Sequence, residues 1–253
     1  MTQNLSSYQA PRHRLVSLNI RHGGGSRASS LAGWLLRQSP DFIILPEWRN
    51  NEYGHKIACD LQKEGFTVSS VHQEKLTANA ILVGAKEPFE LTRITPTGAE
   101  KGELGLAKFA TFNLCAAYFP QLNEKAAFFN RCFELAENFN SAPLLIVGDL
   151  NTGRNDCDLE QGGVKFSCDG HFVNLETKSG LTDIWRAQHG ASAREWTWRS
   201  SKNGFRIDHA FANEAFRTAF KKINCFYLHE PRESHVTDHS ALVVDLSKST
   251  PPA

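Results

Sequence analysis

The sequence predicts an α/β (α+β) chain built from two packed, mixed and mostly antiparallel β-sheets with helices on the outside. Short apolar runs of strand length recur along the chain, and segments with apolar residues at helical spacing stand between them. Turn residues separate several successive strands, so their neighbours read as antiparallel, which favours two packed sheets over one doubly wound parallel sheet.

The first strand is expected over Arg14 to Ile20, followed by the glycine turn Gly23 to Gly25. Ser29 to Gln38 carries Leu31, Trp34 and Leu35 at helical spacing and stops near Pro40. Phe42 to Leu45 is a short buried strand, and Tyr53 to Glu64 a helix closed by Gly65. Strands follow at Phe66 to Val71, Asn79 to Val83, Leu104 to Phe112 and Leu114 to Phe119. Glu124 to Phe139 has the clearest amphipathic pattern, and Leu144 to Val147 is a fully buried strand after Pro143. A helix over His171 to Ser179 and strands over Glu195 to Arg199, Ile207 to Phe211 and Ala241 to Leu246 complete the set.

Residues 1–12 are expected to form a flexible arm, 13–247 a single domain and 248–253 a flexible tail. The 253 residues are 41% apolar and 22% charged, ordinary for a folded soluble protein. A net charge of +1 argues against undirected coating of nucleic acid, while leaving room for a local basic face. Six cysteines without a CxxC pair argue against a zinc ribbon and fit reduced thiols in the cytoplasm. No signal peptide or membrane span is legible, so no membrane is expected as a partner, and no obligate protein partner is evident.

Chemistry is concentrated where apolar strands end. Asn19 ends the first strand, Glu47 follows Phe42 to Pro46, and Asp149 and Asn151 follow Leu144 to Gly148. Asp208 lies in Phe205-Arg206-Ile207-Asp208-His209, and Asp238-His239 precedes the last strand. One carboxylate beside a buried strand is commonly a cap or turn former; repetition at strand after strand is not explained that way. Gathered on one edge, such groups make an oxygen-rich set suited to magnesium or manganese rather than zinc.

In this order the motifs Ser17-Leu18-Asn19, Leu45-Pro46-Glu47, Tyr118-Phe119-Pro120, Gly148-Asp149-Leu150-Asn151, Phe205-Arg206-Ile207-Asp208 and Thr237-Asp238-His239-Ser240 resemble the endonuclease/exonuclease/phosphatase superfamily from about residue 14 to 246. The resemblance implies a four-layer α/β sandwich with its site at one edge of the two sheets. It implies Glu47 as principal ligand of Mg2+ (or Mn2+), with Asn19 and Asp238 supporting. Asp149 is then the residue that orients or deprotonates water, Asn151 and His239 meet the phosphate, and Asp208 orients His239. His209, on the opposite face of its strand, is taken as structural.

Tyr118, where many lipid-directed members have a histidine, is similar to the exonuclease III and abasic-site endonuclease branch. Trp198 and Phe205 are expected to wall a pocket for a flipped sugar. The chain departs from that branch at Asn19-Ile20-Arg21, where Arg21 replaces an Asn or Asp, and at Pro46-Glu47-Trp48. Arg21, Arg27, Arg154, Lys202 and the N–H groups of Gly23 to Gly25 are candidate phosphate contacts. The expected function is a metal-dependent DNA nuclease, exonuclease III-like or abasic-site specific. The alternatives are a phosphatase or phospholipid phosphodiesterase on the same scaffold, or a catalytically silent binding module.

Overall fold

The structure, a computed structural model, describes residues 12–248. The expected arm and tail therefore lie outside the described residues, apart from Arg12 and Lys248, which belong to strands. In chain order the strands are β1 (Arg12–Ser17), β2 (Phe42–Trp48), β3 (Thr67–Val71), β4 (Ala80–Ala85), β5 (Glu90–Arg93), β6 (Glu103–Lys108), β7 (Asn113–Tyr118), β8 (Leu144–Asp149), β9 (Thr182–Asp183), β10 (Trp198–Arg199), β11 (Gly204–Phe205), β12 (Asp208–Ala212), β13 (Phe220–Leu228) and β14 (Ala241–Lys248). The helices are α1 (Ala28–Arg37), α2 (Glu52–Lys63), α3 (Lys125–Asn138), α4 (Asp169–Thr177), α5 (Ile184–His189), α6 (Glu214–Ala219) and α7 (Glu230–Glu233).

Two crossovers set the centre of the fold. β1 and β2 are parallel and joined through α1; β7 and β8 are parallel and joined through α3. Both pairs are apolar on both faces because both faces are covered. Leu15, Phe42 and Ile44 point to a core shared with Leu114, Leu145 and Val147, between the sheets. Val16, Ile43 and Leu45 pack instead on Leu31, Trp34 and Leu35 of α1 and Ile57 and Leu61 of α2. Cys115, Leu144 and Ile146 meet Phe128, Phe129 and Cys132 of α3 and Phe172 of α4. Three apolar layers between helix, sheet, sheet and helix make the four-layer sandwich.

Each sheet has six strands, in the orders β13-β14-β1-β2-β4-β3 and β5-β6-β7-β8-β12-β9. Strand by strand the two orders have the same polarity: a hairpin, a parallel pair, then two antiparallel strands of which the outer comes first in the chain. The sequence shows no internal repeat, because an apolar layer constrains volume and polarity rather than identity.

Several expected boundaries move. The strand expected over Glu195 to Arg199 pairs only at Trp198–Arg199, in a separate hairpin with β11. Side chains occupy the preceding segment: the Trp196 carbonyl accepts from Arg232, and Arg186 donates to the carbonyls of Ala191 and Ala193 at 2.8 and 3.1 Å. The strand expected over Leu104 to Phe112 ends at Lys108, where the Phe109 N–H turns back to the Phe112 carbonyl at 3.0 Å. β13 gives no clean alternation because its register shifts between Phe220 and Lys222; it is an edge strand, and the exposed Lys221 and Lys222 suit an edge. β5 is a four-residue edge, and α5 to α7 span four to six residues. Local caps hold two of these helices: Asp183 accepts from Arg186 N at 3.0 Å and Asn213 from Phe216 N at 2.9 Å.

Candidate active site

The parallel pairs deliver their C-terminal ends to one edge of the molecule. Asn19 follows β1, Glu47 is the last residue but one of β2, and Tyr118 and Asp149 end β7 and β8. Two local devices aim the acids. At Glu47 the register of β2 against β4 slips, with Pro46 opposite Ile81 and Trp48 opposite Ala80. Glu47 is the extra residue of this bulge, with φ 60°, so its side chain leaves the ladder for the edge. At β8, Gly148 has φ 147°, and a Cβ there would lie 1.9 Å from the Ala117 carbonyl oxygen. Glycine thus lets β8 run against β7 up to Asp149.

Asn19 lies between the two acids. Its Nδ2 donates to Glu47 Oε1 at 3.1 Å and to Asp149 Oδ2 at 2.9 Å, while its Oδ1 accepts from Arg21 N at 2.9 Å. This bonding fixes the amide with nitrogen toward the carboxylates. Asn19 accordingly meets Glu47 as a donor that orients it, and not with the oxygen expected of a supporting metal ligand. Glu47 Oε2 also accepts from His22 N at 2.8 Å. Asp149 Oδ1 accepts from Asn151 N at 2.8 Å, and Asn151 Nδ2 donates to the Phe119 carbonyl at 2.8 Å, leaving its second amide proton. Tyr118 accepts from Asn79 Nδ2 at 3.1 Å; burial, then the charge of Glu47, raises its phenol well above the usual range, so it stays a donor.

Across the cleft, His239 Nδ1 meets Asp208 Oδ2 at 2.9 Å, and Nε2 stands 4.0 Å from Asp149 Oδ2. Burial alone would lower the imidazole pKa, but Asp208, by charge and hydrogen bond, helped by Asp149 and Asp238, raises it to about 10. Burial and then the charge of Asp208 push Asp149 up to about 7, against His239, Asn151 N–H and Asn19. Asp149, Asp208 and His239 are close enough to surround an ion. Yet Nδ1 is already committed to Asp208, so the trio reads as an oriented imidazolium facing a carboxylate. His209 lies on the other face of β12, buried, with Nε2 2.8 Å from the Thr152 carbonyl.

A cleft of about 390 Å³ opens over these groups. Arg21, Glu47, Asp149, Asn151, Asp238 and His239 reach its surface; Asn19, Tyr118 and Asp208 stand directly behind. Trp198 and Phe205 form one wall, their rings 5.8 Å apart, with Phe166 edge-on to Phe205 at 5.7 Å. Trp198 Nε1 donates to Asp238 Oδ2 at 3.1 Å, and Arg21 Nε lies 3.7 Å from the same oxygen. All eleven expected site residues therefore gather around this cleft.

The other candidate phosphate contacts do not. Arg154 is turned toward Asp156 and Glu176, at 3.5 and 3.9 Å. Arg27 donates to the carbonyls of Val236 and Arg21, and Lys202 sits on the exposed turn of the β10–β11 hairpin. The N–H groups of Gly23 and Gly24 are taken by the carbonyls of Glu47 and Arg21, so they form no open nest. Sequence reasoning passed over Asn79, His22 and Lys125, none of which belongs to a motif; the polar Asn79 at the foot of β4 was the one available signal.

The donor set fits a hard divalent cation. Glu47 is met by the Asn19 amide, the His22 backbone N–H and the His22 ring, and by no Lys or Arg ion pair among the described residues. Asp238 presents a second carboxylate to the same cleft. Glu47 and Asp238 would hold the ion, with Asn19 orienting Glu47.

The structure is similar to a 3' phosphatase (NExo) from Neisseria bound to product DNA hairpin, with TM-score 0.75 and 18% identity over 94% of this chain and 100% of that one. It is similar to an AP endonuclease from Archaeoglobus fulgidus, with TM-score 0.73 and 19% identity over 92% and 98% of the two chains. Truncated Caenorhabditis elegans TDP2 follows with TM-score 0.67 and 15% identity over 93% and 98%. No curated protein matches the chain by sequence. At these identities the likeness is one of fold. The sequence profile of the Endonuclease/Exonuclease/phosphatase family matches residues 16–239, from within β1 to His239, and so includes both acids, the imidazole and the aromatic wall; the chain belongs to that family.

Proposed function

We propose that this chain is a divalent-metal-dependent phosphodiesterase acting on DNA, as an exonuclease III-like nuclease or an abasic-site endonuclease. The observation that carries the reading is the facing of Asp149 and the Asp208–His239 pair across 4.0 Å, with Glu47 held beside Asp149 by one amide. Glu47 and Asp238 would hold a magnesium or manganese ion, which would neutralise charge on the scissile phosphate and on the leaving oxygen. Asp149 accepts the proton of the attacking water, in line with a carboxyl raised to about 7. His239 donates from Nε2 to a non-bridging oxygen, and its bond strengthens as charge develops there. Asn151 adds its free amide proton and Tyr118 its hydroxyl.

The aromatic wall favours DNA with an unstacked or missing base, because flipping is cheapest there. The neighbours point the same way: one is named an AP endonuclease, another is described with a DNA hairpin product.

The test uses labelled duplexes, one intact and one with a single abasic site, in magnesium or in EDTA. Incision beside the abasic site, abolished by EDTA, is expected of the abasic reading; stepwise loss of nucleotides from 3' ends is expected of the exonuclease reading. Trp198→Ala and Phe205→Ala are each expected to lower kcat/KM on the abasic duplex by about tenfold, the size of one lost stacking contact. Cleavage undiminished in EDTA would overturn the metal assignment. Intact duplexes in every condition, with release of phosphate or a headgroup from lipid, would move the activity to a phospholipid.

A further inference from the structure

Lys125 is an ammonium in a place that elementary electrostatics disfavours. It is the first residue of α3, where the helix dipole repels a cation. Only 2% of its surface is exposed. Among the described residues it makes no ion pair; its one hydrogen bond runs from Nζ to the Asn151 carbonyl at 2.6 Å. Burying a charge that no carboxylate reaches at ion-pair distance is costly, with Asp149 acting on it only from further away. Lys125 nevertheless forms part of the cleft surface together with Asp149, Asn151 and His239.

The backbone it holds is itself unusual. Asn151 has φ 47°, the left-handed region, and is fixed at three points: N–H to Asp149, Nδ2 to Phe119, and carbonyl to Lys125. One of the three ammonium protons is spent on that carbonyl; two remain.

We propose that Lys125 is a phosphate-binding residue of this site, a phosphoryl oxygen of the substrate being the direct ion-pair partner it lacks, and that through the Asn151 carbonyl it also positions the Asn151 amide. The inference rests on the phosphodiesterase reading for the cleft and adds a contact that no motif in the sequence marks. Burial, opposed by Cys168 and Asp149, lowers the lysine to about 8, as suits an ammonium still lacking its anion.

The test needs no DNA. Inorganic phosphate is titrated by calorimetry into the wild type, Lys125→Met and Lys125→Arg, each with manganese present. Loss of a charge-assisted bond is expected to weaken phosphate about 10- to 100-fold in Lys125→Met. Lys125→Arg, which keeps charge and donors, is expected to stay within about threefold of wild type, since arginine also binds phosphate. Unchanged phosphate affinity in a folded Lys125→Met would overturn the proposal. Should that variant unfold, the Lys125 side-chain carbon resonance in the wild type decides: movement that saturates with phosphate supports the contact, and a stationary resonance overturns it. Phosphate bound through Lys125 with every duplex left intact would sink the DNA reading and leave this contact standing.

Discussion

Asp149→Asn is expected to lower kcat by about 10³-fold or more while leaving the fold intact, because on the proposed mechanism it removes the proton acceptor from a set of residues acting together. Stability should change little, and the reason lies in the same contacts. Asp149 is 1% exposed and its charge opposes that of Asp208, so a neutral side chain relieves a buried repulsion. Against this, both carboxylate oxygens accept hydrogen bonds, from Asn19 and Asn151, and an amide can serve only one. The two effects offset to within about 1–2 kcal/mol. Single-turnover rates and denaturant midpoints on the same preparation check both halves. Full activity would remove Asp149 from the mechanism; loss of activity with collapse of the midpoint would make it a structural acid.

The largest stability effect is expected at Arg206, one residue before Ile207 and two before Asp208. Its guanidinium is fully buried, 2.6 Å from Asp158 Oδ1 and 2.5 Å from Asp183 Oδ2, and lies over the Trp185 ring at 4.7 Å. Arg186 shares Asp158, and Tyr227 ties the cluster to β12 through the Asp208 carbonyl at 2.8 Å. Arg206→Met strands buried carboxylate charge, a loss of about 3–5 kcal/mol, or on the order of 10 °C in Tm. The pH dependence has a definite sign. Burial pushes the Asp183 carboxyl up, but Arg206 and His209 outweigh it and hold it well below the usual carboxylate range. A depressed carboxyl contributes stability above its unfolded pKa of about 3.9, and that contribution is lost as pH falls toward the folded value. The gap in midpoint between wild type and variant should therefore be flat from about pH 8 to 5 and narrow below about pH 4. A gap that ignores acid would place the cost in packing against Trp185 instead.

What the sequence shows and what it hides divide along physical lines. An apolar run that stops at Asn19, Glu47 or Asp149 is legible because burial demands apolar residues and function demands polar ones at the next position. The bulge at Glu47 is not, since nothing in Leu45-Pro46-Glu47-Trp48 reports a slip in pairing against β4. Lys125, at the start of an amphipathic helix, carries no sign of burial in the sequence; the Asn151 carbonyl that receives its ammonium lies 26 residues further along the chain. Arg206 sits in a strand-like alternation, where a charged residue suggests solvent; only the tertiary structure supplies Asp158 and Asp183. The glycine turn differs in the other direction, because the Gly23 and Gly24 N–H groups look free in sequence and are claimed by Glu47 and Arg21 in space.

The matching order of the two sheets bears on how the chain could be cut and rejoined. Arg12 at the start of β1 lies opposite Ser247 near the end of β14, so a short hairpin can join them. Opening the chain at residues 86–89 would then give β5 to β12 followed by β13, β14 and β1 to β4: two tandem blocks of like architecture, each forming one whole sheet. Glu47 and Asp149, neighbours across a single amide in the folded protein, would occupy comparable places in the two blocks, each at the end of a second parallel strand. Such a rearranged gene should still encode a folded protein with the same cleft, because the edge carrying Glu47 and Asp149 is made where two copies of one topology meet and not by the order in which they are translated.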